Sequence, residues 1–132
     1  MTLDNLEEKF GLKFKDKSLL KIAFIHRSYL NEHPKEGLTH NERLEFLGDS
    51  VLGFIISDYL YKKFPDHAEG DLTNFRSSIV NARILSEVAG ELELGNYLFL
   101  SRGEEATGGR ERQYLLANTY EALLGAIFLT LG

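Results

Sequence analysis

The sequence predicts an all-α protein, and three observations carry that reading. Apolar residues recur three and four positions apart over most of the 132 residues, which is the period of a helix. No stretch of useful length alternates apolar and polar residues as a half-buried strand would. Two long segments, one central and one at the end of the chain, each join a polar head to an apolar tail.

The elements follow in order. Leu3–Phe10 opens behind Thr2 or Asp4 as a cap and places Leu3, Leu6 and Phe10 at helical spacing. Lys17–Ile25 holds Leu19, Leu20, Ile22, Ala23 and Phe24 and reads as a buried helix. Asn31–Gly37 is polar, contains a Pro and a Gly, and reads as a loop. From about His40 to Phe64 the pattern is continuous: NERLEFLGD is charged, and VLGFIISDYLY is apolar nearly all round. An all-round apolar helix belongs at the centre of a fold, and Pro65 ends it. A turn at Asp66–Gly70 leads to helices through Asn74–Val80 and Ala82–Leu92. Gly95–Gly109 reads as irregular, and Gln113–Leu131 as a final helix. One domain over residues 1–132 is expected.

Composition narrows the chemistry. There is no cysteine, which excludes disulfides, thiolate zinc sites and a Cys nucleophile. The N-terminus lacks the basic start and apolar run of a secretory signal. Val51–Ile56 and Ala122–Leu129 are far shorter than the roughly 20 residues of a bilayer span. The expectation is a cytoplasmic protein with no membrane partner and no small-molecule cofactor. A net charge of −5 speaks against a basic nucleic-acid surface, so the motifs must outweigh it.

At about 100° per residue, Glu42, Glu45 and Asp49 fall within a sector of roughly 60° on one helix face. Asn118 and Glu121 share a face of the last helix. Each group sits on the polar head of a helix whose tail must be buried, so packing the tails together brings the heads to the rim of the core. Gly53 continues the face of Asp49 and Gly125 that of Glu121. Each glycine costs a helix about 1 kcal/mol relative to Ala, so the pair points to a close crossing one turn beneath the acids. Clustered carboxylates repel unless a cation neutralises them. Oxygen donors without His or Cys suit Mg²⁺ or Mn²⁺ rather than zinc, and hydrated Mg²⁺ beside carboxylates suits phosphodiester hydrolysis. The bland alternative is a solvated acidic face, which spacing alone leaves open.

The segment NERLEFLGDS at 41–50 resembles the signature of the ribonuclease III family. The resemblance continues through AFIHRSY at 23–29, EGDLTNFRSSIV at 69–80, GEEATGGR at 103–110 and LLANTYEALLGAIFL at 115–129. It implies the all-helical endonuclease-domain fold, a homodimer, and Mg²⁺-dependent cleavage of double-stranded RNA that leaves 5′-phosphate and 3′-hydroxyl ends. It implies catalytic and metal roles for Glu45, Asp49 and Glu121, a place at the edge of the site for Glu42, and a dimer contact for Phe46, whose rival reading is a core aromatic. Asn118 stands where the family usually has Asp. Its amide oxygen can ligate a metal but is neutral, so four site residues carry −3 rather than −4. One reading is an active enzyme with a higher metal demand. The other is an impaired, RNA-binding or ribosome-associated module. The chain also stops at Gly132, where bacterial members continue into a basic RNA-binding domain, and truncation is the favoured explanation.

For contacts to phosphates and 2′-hydroxyls, the candidates are Arg76, Arg102, Arg110, Arg112 and Thr107, with Asn74 as a further donor. His26 is expected to cap a buried helix end rather than to act as a catalytic base.

Overall fold

A computed structural model describes residues 2–131; Met1 and Gly132, the ends of the expected 1–132 domain, lie outside the described residues. Eight α-helices account for the architecture: α1 (Leu3–Phe10), α2 (Lys17–Ala23), α3 (Arg27–Glu32), α4 (Glu42–Lys63), α5 (Glu69–Ile79), α6 (Ala82–Glu91), α7 (Arg102–Ala106) and α8 (Gln113–Leu131). Short 3₁₀ turns fill Pro34–Glu36, Leu94–Tyr97 and Gly109–Glu111. Among the described residues the only β-type pairing is one isolated parallel bridge between Ile25 and Phe99. The all-α class holds.

α8 is the centre. Leu115, Leu116, Ala117, Ala122, Leu123 and Ala126 are buried against α2, α4 and α6, and its partnership with α4 is the most extensive in the molecule. Its 19 residues have a mean hydropathy of 1.3 over the most apolar window, enough by length and composition to cross a membrane, and half of that window is buried in the fold.

α4 differs from expectation. Its pattern predicts a central helix, yet its buried residues are only Leu44, Gly48, Leu52 and Leu60, while Phe54, Ile55, Tyr59 and Tyr61 are exposed. The helix is apolar on two faces, and this chain covers only one of them.

The crossing of α4 and α8 also differs in detail. Gly125 is at the contact, as expected, but its counterpart is Gly48 and not Gly53. A Cβ at Gly48 would overlap the Glu121 carbonyl, and one at Gly125 would overlap the Leu44 carbonyl; around Gly53 there is open space. The backbones therefore touch at the level of the acids rather than one turn below them.

The unforeseen helix α3 begins where His26, in extended conformation, accepts from the Ser28 N–H. α5 starts earlier than expected, at Glu69, and the Gly95–Gly109 stretch contains α7 with Ser101 capping it through the Glu104 N–H.

Candidate functional site

Glu42, Glu45 and Asp49 come from the first turns of α4, and Asn118 and Glu121 from the first half of α8. Close contact at Gly48 and Gly125 draws these two polar heads together. Glu121 is buried, at 9% exposure, and its carboxyl is within hydrogen-bonding reach of Asp49. Burial, that hydrogen bond, and the charges of Asp49 and Glu45 push the Glu121 carboxyl up to about 8. Partial burial, then the charges of Glu42 and Asp49, raise Glu45 as well. The acids are one electrostatic unit.

The donor set fits a divalent metal. All the donors are oxygens, burial and then mutual repulsion raise Glu121 and Glu45, and a divalent cation such as Mg²⁺ would oppose that repulsion. Among the described residues no three acidic or histidine side chains close into a ready-made cage.

Beside the acids lies a cavity of about 250 Å³ onto which Glu42, Glu45 and Asn118 open, together with His26, Arg27 and Tyr114. Arg27 Nη2 is 3.6 Å from Glu42 Oε1, and His40 Nε2 is 3.9 Å from Glu42 Oε2. His26 caps a helix, as expected, but that helix, α3, buries no residue, and the histidine also lines this cavity. Nδ1 accepts from the Ser28 N–H at 3.1 Å and lies 2.8 Å from Ser28 Oγ, which in turn accepts from the Ser101 N–H at 2.9 Å. Burial, foremost, holds the imidazole below its usual range. Sequence reasoning missed Arg27 and Tyr114. Tyr114 precedes Asn118 by one helical turn and was open to detection on that ground; Arg27 reaches Glu42 only through the tertiary fold.

The basic candidates divide. The Arg102 side chain is 93% exposed and 3.7 Å from Glu32. Arg76 donates to Ser57 Oγ at 2.8 Å and remains on the surface, as does Asn74. Arg110, expected to face RNA, instead donates to the Gly95 and Leu98 carbonyls at 3.0 and 2.7 Å and pairs with Glu105. Arg112 pairs with Glu104 and donates to the Thr107 carbonyl. Thr107 Oγ1 donates to the Gly103 carbonyl at 3.1 Å. These last three bind the α7 loop together.

Phe46 is 78% exposed and is not a core aromatic. It stands at the rim of a cavity of about 720 Å³ formed with Leu19, Ile22, Leu47 and Leu129.

Comparison with known proteins agrees with this geometry. The family model Ribonuclease-III-like matches residues 16–132. The protein named Ribonuclease 3 from Chloroflexus aurantiacus is 52% identical over 132 residues, covering 98% of this chain and 54% of its own length. That from Oceanobacillus iheyensis is 51% identical, covering 100% of this chain and 58% of its own length. The chain thus spans little more than half the length of these relatives. Among solved structures, a nuclease domain of ribonuclease III from Campylobacter jejuni, described for structural flexibility in a region involved in dimer formation, superposes with a TM-score of 0.89. It is 41% identical and covers 98% of this chain and 87% of that one. Dicer from Pichia stipitis matches at a TM-score of 0.62 and 30% identity, over 89% of this chain and 46% of that one. The signature at 41–50, the helical fold built on the α4–α8 crossing and these matches agree: the chain belongs to the ribonuclease-III-like family.

Proposed function

We propose that this chain is the catalytic part of an endoribonuclease that hydrolyses phosphodiester bonds in double-stranded RNA, using Mg²⁺ or in its place Mn²⁺, and leaves 5′-phosphate and 3′-hydroxyl ends. The observation that carries the reading is the buried Glu121 carboxyl against Asp49, raised to about 8 with Glu45 adding to the repulsion. Divalent-metal use goes with the family, and Mg²⁺ when bound supplies an activated water and a Lewis acid for the phosphate. Glu45, Asp49 and Glu121 are the charged ligands, and Asn118 adds a neutral oxygen. Glu42, steadied by Arg27, borders the site. Arg102 and Arg76, whose side chains lie at the surface beside Glu32 and Ser57, are the cations that would meet phosphate. Arg110 and Thr107 act on RNA at one remove, by shaping the α7 loop.

The working form is a homodimer. Phe46, Phe54, Ile55, Phe128 and Leu131 are exposed along α4 and the end of α8, and a two-fold interface would let each Phe46 enter the cavity beside its counterpart. A cytoplasmic setting is part of the same proposal, and the bacterial relatives support it.

The test is incubation of end-labelled duplex RNA with the protein and Mg²⁺, beside Glu121→Gln. Cleavage that the substitution abolishes supports the proposal. Duplex binding without cleavage supports the second reading, an impaired RNA-binding module, which the neutral Asn118 favours. Neither binding nor cleavage defeats both.

A further inference from the structure

The cavity beside the acids has a wall that metal binding does not use. Neutral imidazole carries one proton. His26 Nδ1 accepts from the Ser28 N–H, so the proton resides on Nε2, for which no hydrogen-bond partner occurs among the described residues. Tyr114 is 54% exposed, and its hydroxyl likewise has no partner among the described residues. Arg27 stands at the same cavity, held only by the 3.6 Å contact to Glu42. Other polar groups there are already engaged: the Asn41 amide donates to the Ala23 carbonyl at 3.0 Å and Thr119 Oγ1 to the Leu115 carbonyl at 2.7 Å.

The groups that metal binding leaves unused are thus two neutral hydrogen-bonding groups and one cation, with the Glu42 carboxylate beside that cation. Such a set suits a hydroxyl-bearing group attached to a phosphate. Size narrows it further. At about 250 Å³ the cavity is smaller than the roughly 300–1,000 Å³ of ordinary ligand sites, and it admits a sugar–phosphate unit rather than a whole nucleotide.

We infer that this cavity is a ribose–phosphate subsite for a nucleotide next to the bond that is cut, with His26 Nε2 and Tyr114 Oη meeting the ribose hydroxyls and Arg27 the phosphate. The inference rests on reading the acidic centre as one that cleaves RNA. It also gives the chain a local means of distinguishing RNA from DNA, because the 2′-hydroxyl is the group the two do not share.

The test pairs variants with altered substrates. Tyr114→Phe removes only the hydroxyl, and His26→Asn keeps an acceptor to cap α3 while removing the distal N–H. Each is compared with the unaltered protein on an RNA duplex and on duplexes carrying one 2′-deoxynucleotide on either side of the mapped cut. At one position the unaltered protein should lose roughly three- to tenfold in kcat/KM, the range expected for one hydrogen bond. At least one variant should lose about as much on the all-RNA duplex and nothing further on the deoxy one. A 2′-deoxy effect of the same size in both variants, or none at any flanking position, overturns the inference. If the unaltered protein cuts no duplex, the activity reading falls, and the cavity is judged by titrating ribose 5-phosphate against the protein by NMR. Shifts of the His26 and Tyr114 ring signals that inorganic phosphate does not reproduce support the subsite. Their absence rejects it.

Discussion

The backbone of Gly48 rests directly on the carbonyl of Glu121, so that a Cβ at position 48 would occupy the space of that oxygen. This contact sets the distance between the carboxylates of α4 and those of α8. It makes a packing residue responsible for the geometry of the acidic centre.

Gly48→Ala is therefore expected to force the two helices apart. Overpacking against backbone typically costs about 1–3 kcal/mol, occasionally more. The same change at Gly53, which has open space around it, removes only the entropic penalty of glycine and should add roughly 0.5–1 kcal/mol of stability. Urea unfolding followed by far-ultraviolet circular dichroism distinguishes the two. Equal effects at both positions would contradict the crossing described above.

The contrast shows how far the sequence reaches. Helical phase alone pairs Gly53 with Asp49 and Gly125 with Glu121, but it cannot say which partner carbonyl comes close; that depends on how the helices are set against each other in depth. α8 was legible to its boundaries because the helical spacing of its polar head continues without a break into its apolar tail, from Gln113 to Leu131. α3 was not, because its six residues bury no side chain and so carry no apolar period to read, even though His26 was expected as a cap. The acids were legible through their spacing and the family signature. Arg110 misled because charge is visible in a sequence and the Gly95 and Leu98 carbonyls that engage it are not.

The acidic centre should couple stability to pH in an unusual direction. Glu121 is raised from the ordinary 4.5 to about 8 in the fold, so the folded state holds more protons than the unfolded chain across that interval. Metal-free stability then falls as pH rises through it. Mg²⁺ in excess should counter the fall by binding the deprotonated form, and Glu121→Gln should flatten the metal-free profile. Urea midpoints measured from about pH 5 to about pH 8, with and without Mg²⁺, check this. A metal-free profile that is flat or rises would refute it.

Asn118→Asp is expected to tighten metal binding. Unit charges 4 Å apart interact by about 4 kcal/mol at an effective dielectric of 20, and added repulsion among the acids offsets part of that gain. A net effect near 1.4 kcal/mol corresponds to about a tenfold lower Mg²⁺ concentration at half-saturation. Isothermal titration with Mg²⁺ measures it without reference to turnover. An unchanged titration would remove position 118 from the metal site.

Phe46 and Phe54 test the proposed pairing of two chains. They are 78% and 74% exposed, far more than large aromatics on a helix that also supplies core residues ordinarily would be. Burying one such side chain contributes about 1.5–3 kcal/mol, and two-fold symmetry counts each substitution twice. Phe46→Ala should therefore weaken self-association by roughly 100-fold or more, and Phe54→Asp, which adds a charge to the same strip, should do at least as much. Neither side chain contributes to this chain's own buried core, so helicity should be retained. Sedimentation equilibrium over a range of concentrations reads the association directly, and a dimer that persists through both changes would show that this face of α4 is not what joins the subunits.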